Sequence, residues 1–72
     1  MTLFDLQNGD LFRYDREIYQ LQEINGDTAW APRVAQMVSD QWHPAGPLLS
    51  SNFNPYAEVE PGQLTLSWVK RR

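Results

Sequence analysis

The chain lacks cysteine, contains a single histidine, and has no long hydrophobic run. Without cysteine there are no disulfides and no thiolate zinc sites, and one histidine cannot form a Cys–His dyad or a histidine metal cluster. A bilayer span needs about 20 apolar residues, and the N-terminal residues carry an aspartate but no basic residue, unlike a signal peptide. We therefore expect a cytoplasmic protein that does not associate with membranes.

Positive charge is scarce in the body of the chain. Residues 1–69 contain all nine acidic residues and only three arginines, a formal charge of −6, whereas the last three residues are all basic. An acidic body repels a phosphate backbone at long range. We interpret the basic end as a solubilising segment that follows a hydrophobic strand.

Short runs rich in aromatic and branched residues alternate with turn signals along the chain. The signals are Asn8-Gly9, Asp15-Arg16, Asn25-Gly26 and Pro61-Gly62. Asn-Gly between two such runs is a strong hairpin signal, and Pro-Gly is typical of a type II turn. Residues 63–69 alternate cleanly, which predicts one strand with Leu64, Leu66 and Trp68 on its core face.

This rhythm predicts an all-β fold, a small, partly open, SH3-like antiparallel barrel of five to six short strands, because closing the strands into a barrel removes exposed edges. The length of the chain suits a single domain over residues 1–72. Periodicity disappears over about residues 40–55, which contain three prolines and which we expect to form one long loop. Pro32 predicts that its strand is an edge or is bulged there, and such an edge could pair two copies into a homodimer.

The first residues of the chain contain a pattern that is also found in other proteins. The pattern L-x-x-G-D-x-F-x-Y over residues 6–14, followed by Tyr19, resembles the start of small SH3-like barrel proteins. The resemblance covers about the first 30 residues and concerns the fold, because one small barrel hosts many functions. Such proteins often occur in phages and other mobile elements and bind peptides, RNA or DNA, or dimerise. The resemblance implies a small accessory protein and assigns no site residue.

Catalytic patterns are weak. The spacing of Ser39, Asp40 and His43 matches no motif with a mechanism, and no EF-hand loop, P-loop or dinucleotide motif is present. Two acidic pairs lie two residues apart and so share a strand face, which is typical of solvent-facing positions: Asp15/Glu17 and Glu58/Glu60. We expect a non-enzymatic protein with no cofactor and no metal site.

Protein interaction is the function that the sequence favours. Three tryptophans exceed what so small a core easily hides, and an exposed aromatic in a proline-rich loop would anchor a partner. The predicted partner-binding residues of this interaction or regulatory module are Trp30, Arg33, Trp42, His43 and Tyr56. The alternative is a single-stranded nucleic-acid-binding barrel, since arginines interleaved with aromatics can track and stack bases. It would use Arg13, Arg16, Arg33, Lys70, Arg71 and Arg72.

Overall fold

The computed structural model describes residues 1–44 and 50–71. Over these ranges the chain is all-β, as predicted, with a 3₁₀ turn at Leu3–Asp5 followed by antiparallel strands. The strands are β1 (Leu11–Tyr14), β2 (Glu17–Gln20), β3 (Glu23–Asn25), β4 (Thr28–Val38), β5 (Gln41–Pro44), β6 (Ser50–Phe53), β7 (Glu60–Leu64) and β8 (Trp68–Lys70). The described part of the chain therefore forms eight strands, more than the five or six expected.

One sheet contains all these strands in the order β3-β4-β2-β1-β7-β8, and β5 and β6 also pair with β4. The long strand β4 joins two parts of the sheet. Its first half lies between β3 and β6, and its second half lies between β2 and β5. Among the described residues no ladder joins β3 to β8. The sheet is therefore not closed, and the expected partly open, SH3-like barrel is not confirmed.

The prediction for the strand that contains Pro32 is half right. The ladder between β2 and β4 shifts register, from Ile18 opposite Ala35 to Tyr19 opposite Arg33, so one residue of β4 is bulged close to Pro32. The strand is not an edge, because β4 has neighbours on both sides. The error arises because the residues that cover its second side were expected to form a loop.

That long loop, expected over about residues 40–55, is the clearest correction. Residues 41–44 and 50–53 form β5 and β6, while residues 45–49 of the expected loop lie outside the described residues. The two-residue turn at Ser39 (φ 51°) and Asp40 (φ 64°) folds β5 directly back on β4. Positive φ at both central positions is the requirement of a type I′ hairpin, which normally selects Asn and Gly. The sequence at this turn therefore gave no hairpin signal.

The Gly-containing turn signals have different outcomes. A hairpin forms where Asn25-Gly26 predicts one, but its two turn residues are Gly26 and Asp27, because Asn25 ends β3 opposite Thr28 and Gly26 has the positive φ. The turn predicted at Pro61-Gly62 is wrong, because both residues lie within β7 and the chain bends later, at residues 65–67. The carbonyl of Pro61 accepts a hydrogen bond from the Arg71 amide (2.8 Å). Pro61, which has no N–H to donate in return, therefore lies at the end of the β7–β8 ladder that is farthest from the bend.

The main core covers one face of the sheet and is built around aromatic rings. Phe12 is fully buried and stacks on Tyr19 with ring centroids 5.6 Å apart, and Phe53 meets both rings edge-on at 5.4 and 4.7 Å. The buried cluster comprises Leu3, Leu6, Phe12, Tyr19, Leu21, Ala29, Ala31 and Val59. No helix in the described ranges is long and apolar enough to cross a membrane.

The opposite face of the sheet has a smaller buried patch. Arg13, Ile18 and Ala35 occupy neighbouring positions on β1, β2 and β4, so their side chains point to the same side. Ile18 and Ala35 are buried but are not part of the main core. This face forms the floor of the candidate site.

Candidate functional site

Two hairpins face each other across this second side of the sheet. The β4–β5 hairpin and the β7–β8 hairpin are separated in the sheet by β2 and β1, yet residues of both line one open cleft of about 520 Å³. The sheet must therefore curl so that the hairpins meet. We call this feature the hairpin cleft and define it by Arg13, Asp40, Trp42, Leu66 and Trp68. An adjoining hollow of about 210 Å³ shares two of these residues and extends to Val34, His43 and Leu64.

Trp42 forms one wall of the hairpin cleft. The short turn after β4 places Trp42 directly opposite Met37, and both residues line the cleft. The side chain is half-buried, and its ring also borders the adjoining hollow. A tryptophan held in this way presents a large apolar surface at low cost in conformational entropy, because only two side-chain torsions must be fixed.

Arg13 places a positive charge beside that wall. Its guanidinium carbon lies 5.8 Å from the centre of the Trp42 ring, within the range of a cation–π interaction. Its Nε donates a hydrogen bond to the backbone carbonyl of Asp15 (3.1 Å). The three ion pairs found among the described residues are formed by other cations. No described carboxylate lies within 4.0 Å of the Arg13 guanidinium. The guanidinium therefore keeps donors for a group that enters the cleft.

Trp68 forms the opposite wall and is tightly fixed. Its indole Nε1 donates to the Glu60 carboxylate (2.9 Å), and its ring lies directly over Gly62. A Cβ atom at Gly62 would lie only 2.6 Å from Cζ2 of Trp68. Glycine at this position is therefore a packing requirement, since it leaves the space that the ring occupies.

Leu66 lies at the rim, and its prediction as a core residue is wrong. The chain bends after β7, and Thr65 and Ser67 close the bend with a backbone hydrogen bond of 3.0 Å. The bend interrupts the alternation of the expected single strand, and Leu66 is fully exposed. A fully exposed leucine beside two half-buried tryptophans is the kind of apolar surface that marks interaction sites.

The predicted partner-binding residues fall in different places. Trp42 and His43 both border the hairpin cleft or its adjoining hollow. Trp30 lies on the first half of β4, between Glu23 and Asn52, and lines neither space. Tyr56 is exposed and meets Phe4 edge-on at 4.9 Å.

Arg33, the fifth of these residues, is held in an ion pair with Glu17, which also accepts a hydrogen bond from the Tyr19 hydroxyl. These hydrogen bonds, first from Tyr19 and then from Arg33, hold the pKa of the Glu17 carboxyl below its usual range. Burial, and then the bond to Glu17, raise the pKa of Tyr19 to about 12. The network joins β2 to β4 and uses the charge of Arg33 internally.

The residues of the nucleic-acid alternative are also dispersed. Arg13 lies in the hairpin cleft, whereas Arg16 is exposed in the turn between β1 and β2. Lys70 ends β8, and the next residue, Arg71, lies 3.5 Å from the Asp10 carboxylate. Arg72 is outside the described residues. Apart from Arg13, the described members of this set do not line the cleft.

Sequence reasoning missed two residues that line the cleft, Leu66 and Trp68, because their alternation with Leu64 is typical of an ordinary core strand. A signal for Trp68 was present in Glu60, which lies two residues before Gly62 and serves as the indole partner. Leu66 had no such signal.

Comparisons with protein-family models, with curated proteins and with solved structures find no match to this chain. Within the described ranges, no three histidine, aspartate or glutamate side chains are grouped so that they could hold a metal ion.

Proposed function

We propose that this protein is a small interaction module that binds an extended segment of a partner protein in the hairpin cleft. The observation that carries the proposal is the fully exposed Leu66 placed across from Trp42, with the Arg13 guanidinium beside the ring. Tryptophan and arginine are enriched among binding hot spots, and an exposed apolar side chain beside them adds contact area that a partner can cover. We propose that the site binds its partner without forming or breaking a covalent bond.

The charges of the cleft define the segment. Arg13 favours a carboxylate, and Asp40, which lines the same cleft, favours a cation nearby. The apolar walls favour one bulky apolar side chain between them. The acidic body disfavours a strongly acidic segment at long range. The partner segment therefore carries a bulky apolar residue next to a single carboxylate and has little net negative charge.

We also propose that the open sheet is an SH3-like barrel left open between β5 and β8. The support is that the hairpins ending in these strands line one cleft although they lie far apart in the strand order. In this arrangement the binding surface is the gap in the barrel.

A displayed library of random linear peptides tests the function. Peptides are selected on the wild-type chain and then measured against Leu66→Ser, which removes an exposed side chain and leaves the fold intact. Tyr56→Ser is the matched control, since Tyr56 is also exposed but lies against Phe4. We expect Leu66→Ser to weaken binding about tenfold or more, as for a hot-spot residue, and Tyr56→Ser to leave it unchanged. Dependence on Tyr56 alone would contradict the proposal.

Binding of a single-stranded oligonucleotide is the outcome that would replace protein interaction by the nucleic-acid alternative. It would show affinity that falls steeply with salt, because phosphate contacts release counterions. It would also be lost in Arg13→Ala and retained in Leu66→Ser. We expect no such binding at low salt.

A further inference from the structure

The outer edge of β8 offers hydrogen-bonding groups in a symmetric arrangement. In an antiparallel ladder, opposite pairs alternate between those that exchange hydrogen bonds and those that do not. The Arg71 amide donates to Pro61 and the Thr65 amide donates to Ser67, at the two ends of the β7–β8 ladder. Both bonds mark hydrogen-bonded pairs, and counting inward from either end makes Gln63 and Val69 a pair of the same kind. Val69 therefore bonds to β7, whereas the amides and carbonyls of Trp68 and Lys70 point away from it.

We infer that β8 pairs with β8 of a second copy of this chain, antiparallel and centred on Val69. A two-fold axis at Val69 places Trp68 of one copy opposite Lys70 of the other, and the reverse. Each of these two pairs exchanges two backbone hydrogen bonds, so all the outward groups of Trp68 and Lys70 are used. A two-fold axis at Trp68 would place Trp68 opposite Trp68 of the other copy and leave Lys70 without a partner on β8. An axis at Lys70 would leave Trp68 without one in the same way. The edge is thus self-complementary in one register, as a symmetric dimer requires.

The side chains fit the same register. Val69 is half exposed, and the axis brings the two Val69 side chains together in a pair that is not hydrogen-bonded, where side chains approach most closely. Lys70 of the second copy lies opposite Trp68, whose indole is bonded to the Glu60 carboxylate. The ammonium therefore meets an aromatic ring and a carboxylate. Lysine on an edge strand usually discourages pairing, but here each Lys70 has a complementary neighbour.

Because Trp68 of β8 also lines the hairpin cleft, the pairing and the cleft proposal are tested with different readouts: the pairing by the mass of the protein, and the cleft by peptide binding to dilute protein. The paired edge is three residues long, so the dimer is reversible and depends on concentration. Sedimentation equilibrium of the full chain measures it directly. We expect the average mass to rise from 8.4 kDa towards twice that value as the protein is concentrated.

Lys70→Pro is the decisive variant. It removes the outward amide of Lys70 without removing a bond to β7, and proline is tolerated on edge strands where the N–H faces solvent. We expect the dimer to be lost. Lys70→Glu, which places a carboxylate opposite Glu60 of the second copy, is a second variant with an unchanged backbone, and we expect its dimer dissociation constant to rise at least about tenfold. Arg16→Glu is the matched control, since it makes the same charge change in an exposed turn, and we expect no effect.

Amide exchange locates the interface. At a concentration where the dimer forms, the Trp68 and Lys70 amides should exchange more slowly than in dilute protein, while Val69 should show no comparable change. A monomer at every concentration, or a dimer that both Lys70 variants leave unchanged, would overturn the inference. A dimer whose protected amides lie on other strands would overturn it equally.

Discussion

Gly62 and Trp68 are packed so closely that no side chain fits between them. A Cβ atom on Gly62 would lie 2.6 Å from the Trp68 ring and 2.3 Å from the carbonyl oxygen of Val69. The glycine therefore holds one wall of the hairpin cleft in place, because it leaves the space that the Trp68 ring occupies. A residue that looks like a turn signal in the sequence has a packing role in the structure.

Gly62→Ala tests this relationship. The methyl group must displace Trp68 or separate β7 from β8, and overpacking of this kind costs about 1–3 kcal/mol. Urea unfolding followed by tryptophan fluorescence should show that loss together with an altered native spectrum. Gln63→Ala is the control at the adjacent exposed position, and its effect should stay within about 0.5 kcal/mol. Equal stability of Gly62→Ala and the wild type would show that the ring does not lie where described.

The Tyr19 hydroxyl makes stability depend on pH at the alkaline end. Its pKa is raised to about 12 in the folded protein, above the value of about 10 for an unfolded chain. The stabilisation is therefore complete below pH 10 and is lost as the pH rises towards 12. In Tyr19→Phe this part of the pH dependence should disappear when the free energy of unfolding is measured across that range. Tyr56→Phe, which removes an exposed hydroxyl, should keep the wild-type dependence.

The same substitution has an effect at neutral pH. Tyr19→Phe takes one hydrogen bond away from the Glu17 carboxylate, which keeps its ion pair with Arg33. Loss of a hydrogen bond to a charged group costs about 1.5–3 kcal/mol. The cost should shrink as the pH falls through the lowered pKa of Glu17, because the neutral carboxyl accepts more weakly. A cost that is constant between pH 7 and pH 2 would contradict the assigned network.

The β4–β5 turn does not have the residue pair that its geometry prefers. Ser39 and Asp40 both have positive φ, which costs about 1–2 kcal/mol for most residues with a side chain and less for Asp. The double change Ser39→Asn and Asp40→Gly should raise the free energy of unfolding by about 1 kcal/mol. Arg16→Gly is the contrasting variant, because residue 16 does not have a positive φ, and it should lower stability. A destabilised double variant would argue against a type I′ turn at this position.

Phe53 links β6 to the aromatic core. Its ring lies edge-on to Phe12, Tyr14 and Tyr19, with centroids 4.7 to 5.5 Å away. Phe53→Ala should cost about 3 kcal/mol, near the lower end for phenylalanine because the side chain is only half-buried. Phe4→Ala, at an exposed ring, should cost clearly less. Equal costs in thermal or urea unfolding would show that β6 does not pack against the core.

The all-β class and the early hairpins could be predicted because their signals are local. The signals at Asp15-Arg16 and Asn25-Gly26 lie between short, strand-forming runs, and two-residue hairpins form at residues 15–16 and, one residue later than the second signal, at residues 26–27. The β4–β5 hairpin could not be predicted, since Ser39 is not a preferred residue for positive φ and Asp40 occupies the second turn position, where Gly is preferred. The register of long-range pairs, which places Arg13 beside Trp42, has no local signal at all.

The candidate site could be predicted only in part for the same reason. The unusual composition of residues 40–55 singles out Trp42 and His43, and the structure places Trp42 at the cleft and His43 at its adjoining hollow. Leu66 alternates with Leu64 as a core residue would, and only the bend after β7 exposes it. Arg33 seemed available from the sequence because its partner Glu17 lies on a different strand, 16 residues earlier.

The most direct test of the hairpin cleft is a chemical-shift titration. Isotope-labelled protein is titrated with a peptide enriched by the display selection, and the backbone and indole signals are followed. We predict the largest changes at Trp42, Leu66 and Trp68, including the Trp68 indole N–H, with small changes at Trp30 and Tyr56. Changes centred on Trp30 or on Tyr56, with the signals of the cleft residues unchanged, would contradict the account. They would show that the binding surface lies at these other residues that the sequence favours.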